Sequence, residues 1–373
     1  MKELILFLKD KSILSAILFI AVTEVFMQLG CYKPFLKKNS YAYSANKITD
    51  TAIQSLPTLN PDTIILGTSL AYEGISPEIL NQKLSNSGIV SQSLAIPGSE
   101  LITQELSIRK ILNHTNEIKY IIHVNDIQMP WIDRKALIDS TLSMIAEFDT
   151  FTVLKKINDD KYSTRWEDYS FVLLKYVAYK RDIGDFFLAP DKRIKDFGKE
   201  LKNKSIYAYQ NEYLPSIALY HFDTLDTCIE KSSPSAILPE GSDKYHRDAV
   251  FKTCHLVKNT KLDTIKNEFT DLYKIRLSNI YSFLKSKNIK IINVYPPVPN
   301  LLDDQDYQKR IHFWKTEYSD LAGDYQIDFT YLIPGDRNEE YYYDLIHLNK
   351  RGMHVFTEAL AEQLLEIRKS EKN

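Results

Sequence analysis

The segment YYYDLIHLNKRG, residues 341–352, sets an acid and a histidine three positions apart, just ahead of the last helix-like stretch. That spacing lets Asp344 and His347 lie on one side of a single turn, where a carboxylate can orient an imidazole and stabilise its protonated form. An imidazole so held can serve as a general base, but only if a nucleophile and hydrogen-bond donors arrive from elsewhere in the chain. Ser69 in ILGTSLAYEGI is a candidate hydroxyl, at a strand-to-helix turn. Two further turns carry polar groups: Pro97-Gly98 in SLAIPGSE and Asn125-Asp126 in IIHVNDIQ. Each also has a plain structural reading. Asn125 and Asp126 can close a turn by capping backbone groups, and His347 can be a satisfied loop histidine.

The flanking sequence says how these residues could meet. DTIILGTS has the short apolar run and small-residue stop of a buried strand, and SPEILNQKLSNSG follows with a Ser cap and a Pro in the first turn of a helix. SQSLAIPG and IKYIIHVND repeat the strand pattern around the amphipathic stretch ELITQELSIRKILNHTN. IKIINVYPPVPN and QIDFTYLI supply a fourth and a fifth strand, separated by a helix over about residues 303–321, and NKRGMHVFTEALAEQLLEIRK closes the chain as a helix. Alternating apolar strands and helices predict an α/β fold with a parallel sheet covered on both faces. Ligands of such sheets bind beyond the carboxyl ends of the strands, and every candidate residue falls there.

Read together, ILGTSLAYEGI, SLAIPGSE, IIHVNDIQ and YYDLIHLN resemble the four blocks of the SGNH hydrolases, also called GDSL-type esterases. The resemblance covers about residues 62–126 and 267–373. It implies a three-layer α/β/α sandwich, flavodoxin-like, with a mostly parallel five-stranded sheet. It also implies an acyl-enzyme mechanism needing neither metal nor cofactor. Ser69 would be the nucleophile, His347 the base and Asp344 the orienting acid, with the backbone N–H groups of Ser69 and Gly98 and the Asn125 amide forming the oxyanion hole. Two positions depart from the pattern: Thr68 replaces an acidic residue, and His123 stands where a glycine is common, which could narrow the pocket or place a second imidazole near it. Anchored members of the family resemble partners in O-acylation of extracytoplasmic glycans. The resemblance therefore implies an acyl ester on a cell-envelope polysaccharide as substrate, a membrane acyltransferase as partner, and hydrolysis or transfer as the outcome. The alternative is a non-catalytic SGNH-like module that binds glycan or scaffolds a membrane complex.

The remaining sequence bounds this reading. A 373-residue chain with 44% hydrophobic residues can bury a large core, and a net charge of -2 with a pI near 6.5 argues against a nucleic-acid partner. Residues 1–32 read as a membrane anchor or signal segment. Ten Leu, Ile, Phe or Val residues between Ile13 and Leu29 oppose a single acid, Glu24, whose insertion costs roughly 2.5–3.5 kcal/mol. A single-pass anchor, a cleaved signal ending at Cys31, and a buried amphipathic helix all remain open, and lysines on both flanks fix no orientation. In a span, Glu24 requires a partner or an off-centre position. Residues 33–60 read as a polar tether, and residues 61–373 as the α/β domain with a mostly helical insertion at about 129–260. Cys228 and Cys254 are left as one disulfide, if the body is exported, or two buried thiols. His312 and His354 read as structural. Exposed tyrosines or Trp166 of the insertion could stack on carbohydrate.

Overall fold

Five short strands pair into one all-parallel sheet in the computed structural model, which describes residues 11–132, 135–202, 205–259, 267–300, 305–321, 323–333 and 338–371. The strands are β1 (Thr63–Leu66), β2 (Ser91–Ser93), β3 (Tyr120–Val124), β4 (Lys290–Tyr295) and β5 (Tyr325–Asp328), in the order β2-β1-β3-β4-β5. Leu66 pairs with His123 and Val124 with Val294, so the ends of β1, β3 and β4 are level. The chain first lays β2 on one side of β1 and then returns to place β3 on the other. This reversal opens a crevice at the carboxyl ends of β1 and β3. All residues of β1 and β3 are buried, as expected for central strands of a covered parallel sheet.

Strand periodicity shows what covers each face. On β3 the Tyr120 hydroxyl donates to Glu371 and accepts from Arg368 at 3.0 Å, both at the end of the final helix, Lys350–Ser370. His123, an odd number of residues along, points to the opposite face. There its Nδ1 lies 2.8 Å from the Tyr281 hydroxyl and its Nε2 3.2 Å from Gln104, on helices Glu268–Ser286 and Leu101–Leu112. His123 is thus a core residue of the helix–sheet interface and not a second imidazole at the pocket. Burial lowers its pKa to about 4, so it is neutral there. The expected cap of helix Pro77–Lys83 is present: Ser76 accepts from Ile79 N, with Pro77 in the first turn.

Two expectations change. The tether is helical over Tyr41–Leu59, because Ala42, Ala45, Ile48, Ala52 and Leu56 recur every three or four residues and are buried. Its polar composition had hidden that period. The insertion also divides: the chain forms two compact units, Met1–Lys47 with Ala136–Lys204, and Ile48–Lys135 with Ser205–Asn373. Residues 205–259 therefore belong with the sheet.

In the first unit, helix Lys11–Gln28 is long and apolar enough to cross a membrane, and nearly all of it is exposed. It leads into a cluster of Met27, Tyr32, Leu36, Ala42, Ala146, Ala178 and Tyr179, in which Tyr32 and Tyr179 stack at 4.3 Å. Glu24 has its partners: it accepts from the backbone N of Lys175 at 2.9 Å and of Tyr176 at 3.1 Å, and from Gln28 Nε2 at 2.6 Å. The flanking Lys2 and Lys9, and Asp303 at the expected helix start, lie outside the described residues. In the second unit Cys228 and Cys254 form a disulfide between helices Leu225–Lys231 and Lys244–Asn259, while Cys31 of the first unit is free and exposed.

Candidate active site

Ser69 opens helix Ser69–Gly74 directly after β1. Thr68 caps it, accepting from Leu70 N at 3.4 Å and donating to Asp126 Oδ2 at 3.2 Å. The residue that replaces the usual acid thus ties the end of β1 to the turn after β3. Asp126 also closes that turn by accepting from Gln128 N at 3.2 Å. Gly67 has φ +152°, and a Cβ there would lie 2.8 Å from Ala71 Cβ and 3.0 Å from the Val124 carbonyl. Only glycine lets the chain turn this tightly against β3 and deliver Ser69 to the crevice.

Three of the sequence candidates meet. Ser69 Oγ lies 2.8 Å from His347 Nε2, and His347 Nδ1 lies 2.9 and 3.1 Å from the two oxygens of Asp344. Asp344 is buried, and its Oδ1 accepts from the backbone N of Ile346 at 2.8 Å and of His347 at 2.9 Å. An ionised carboxylate only accepts, so in the neutral imidazole it holds the proton on Nδ1 and leaves the Nε2 lone pair facing the serine hydroxyl. The supporting loop is closed by a bridge between Tyr342 and Leu348 and by Tyr343 N donating to the His347 carbonyl at 2.8 Å. Asn349 then caps the final helix, accepting from Gly352 N at 3.1 Å.

Neighbouring charges set the base strength. Burial lowers the His347 pKa, but the charge and hydrogen bond of Asp344, with Glu73 and Asp126 beyond, outweigh it and raise the value to about 9. Glu73 lies one turn beyond Ser69. Burial raises its carboxyl to about 7, against the opposing pull of the Tyr209 hydrogen bond and of His347.

The expected oxyanion donors are placed differently from one another. The backbone N–H groups of Ser69 and Gly98 make no hydrogen bond among the described residues. The Gly98 turn, with φ +70°, is tied to β1 because Ile96 N and Ser99 Oγ both donate to the Gly67 carbonyl, at 3.1 and 3.4 Å. Asn125 is fully buried at the end of β3. Its amide donates to Asn293 Oδ1 and, at 3.4 Å, to the Val294 carbonyl, and its own Oδ1 has no partner among the described residues. Asn125 is therefore tied to β4, and its amide nitrogen is engaged there. A small recess of about 10 Å³ at this edge of the sheet is lined by Leu70, Pro296, Leu345 and Ile346 together with Asp126 and Gln128.

Several supporting residues escaped the sequence reading. Asn211 is fully buried, and its Nδ2 donates to the carbonyls of both Glu73 and Leu348 at 2.8 Å, bridging helix Ser69–Gly74 to the loop that carries His347. On either side of it the Tyr209 ring stacks on Tyr72 at 4.4 Å and Tyr213 on Tyr343 at 3.9 Å. His246 Nε2 donates to the Tyr343 carbonyl at 2.6 Å, and Thr253 Oγ1 accepts from Leu345 N at 3.3 Å, so helix Lys244–Asn259 braces the same loop. The alternation Tyr207, Tyr209, Asn211, Tyr213 was a visible signal of an extended, two-faced segment. His312 and His354 sit on exposed helix surfaces, and Trp166 is exposed in the first unit. No known family model matches the chain, and no curated protein matches it either.

Proposed function

We propose that the α/β unit is an SGNH-type serine esterase or O-acyltransferase, tethered to a membrane by helix Lys11–Gln28 and acting on small acyl esters of a cell-envelope glycan. The observation that carries this is the unbroken hydrogen-bond chain from Ser69 Oγ through His347 to Asp344. Ser69 Oγ attacks the ester carbonyl as His347 Nε2 takes its proton, and Asp344 stays ionised and steadies the imidazolium. The backbone N–H groups of Ser69 and Gly98 receive the oxyanion, after which the alcohol leaves with the proton held by His347. Water then completes hydrolysis, or a sugar hydroxyl completes transfer, from the acyl-enzyme on Ser69. The Cys228–Cys254 disulfide supports an extracytoplasmic location, because reducing compartments disfavour such bonds.

Ser69→Ala should lower turnover of a chromogenic acetyl ester by on the order of 10⁶ while the circular dichroism spectrum is unchanged. A fluorophosphonate should add its mass to Ser69 in the parent protein alone. The engagement of the Asn125 amide with β4 favours a second reading, a non-catalytic SGNH-like glycan-binding or scaffold module. In that case the parent protein neither turns over the ester nor takes the label, and Ser69→Ala leaves glycan binding intact.

A further inference from the structure

We propose that residues 173–188 of the first unit lie in the membrane–water interface, so that this part of the chain binds a lipid surface beyond what its membrane helix binds. The inference rests on the reading of Lys11–Gln28 as a span. Eighteen residues reach about 27 Å, slightly short of a hydrocarbon core of about 30 Å. Glu24 stands four residues before the helix end, about 6 Å inside it. Both its carboxylate oxygens are held by the backbone of Lys175 and Tyr176. Those two residues must share its depth, which falls within the roughly 5–10 Å below the headgroup–acyl boundary that interfacial segments reach.

The side chains around them suit such a position. Leu173 is 50% exposed, Leu174 37% and Tyr176 49%, and farther along Phe187 is 76% and Leu188 87% exposed. The second pair adjoins the residues that follow the membrane helix, since the neighbouring Phe186 meets Phe35 edge-on at 4.8 Å. Lys175, Lys180 and Arg181 are interspersed, while the segment's two acids, Asp182 and Asp185, are engaged by the backbone N and Nζ of Lys37, giving a mixture of aromatic, aliphatic and basic groups that suits an anionic headgroup layer. The Glu24 carboxylate and the N–H groups of residues 175 and 176 satisfy one another, so neither is left unpaired where water is scarce.

The test uses full-length protein in phosphatidylcholine–phosphatidylglycerol vesicles, with Cys31→Ser removing the free thiol. An environment-sensitive fluorophore is attached at Leu174→Cys, Leu188→Cys, Leu18→Cys in mid-helix, or Ile237→Cys on the second unit. We expect blue-shifted emission at 174 and 188, quenched by nitroxides at the lipid headgroup and shielded from aqueous iodide. Position 18 should respond to deep nitroxides and position 237 to iodide alone. If 174 and 188 behave like 237 while 18 remains buried in lipid, the interfacial proposal is wrong and the span stands. If 18 is open to iodide, the span is wrong and the proposal falls with it.

Discussion

A histidine whose pKa is raised to about 9 is mostly protonated at neutral pH, and a protonated imidazole cannot accept the Ser69 proton. The acylation rate constant kcat/KM should therefore climb as pH rises toward about 9. Glu73→Gln removes one of the negative charges that raise His347, so it should move this limb to lower pH while Tyr209 keeps a hydrogen-bond partner. Unchanged limbs in the two profiles would separate Glu73 from the base. Asp344→Asn should cost about 10⁴ in kcat by stabilising the wrong tautomer. Asn211→Ala leaves two buried carbonyls without their donor, at roughly 1–3 kcal/mol each. Because those carbonyls flank Ser69 and His347, the variant should also lose about 10²-fold in kcat with little change in KM, as expected when reacting groups are displaced by about 1 Å.

Among the elements, the sheet was legible because its central strands are short apolar runs with clear stops, TIIL and YIIHV above all, whereas the edge strands SQS and YQID are polar and were legible only from their flanks. Ser69, Asp344 and His347 were legible because each lies at a strand or loop end with its own local signature. Asn211 and His246 were not, since a lone Asn or His acquires its meaning from carbonyls more than ninety residues away. Helix Tyr41–Leu59 was missed because small alanines, which bury little apolar area, carry most of its inner face. The brace from helix Lys244–Asn259 depends in part on the disulfide. Opening the Cys228–Cys254 loop by double replacement with serine should cost about 3.5 kcal/mol by the chain-entropy relation. Thermal unfolding with and without reductant reads this directly, and activity should fall before the sheet melts. Gly67→Ala imposes a disallowed φ and a clash with Val124, worth about 1–3 kcal/mol, and should displace Ser69 as well as lower the melting temperature.

At the scale of the molecule, the division into two units separates what each substitution can affect. Glu24→Leu strips Lys175 and Tyr176 of their acceptor and should expose residues 136–204 to limited proteolysis in detergent, while ester turnover by the second unit is retained. The sequence could not foretell this division, because the partner of an insertion is chosen by a hydrogen bond to a carboxylate 151 residues away. The separation of Ser69 from His347 by 278 positions has a consequence for biogenesis. A ribosome has released Ser69 and three of the strands long before β4 can fill the place beside β3. Until residue 347 emerges the His347 imidazole cannot reach that hydroxyl, so under the proposed reading a polypeptide terminated before it lacks its base.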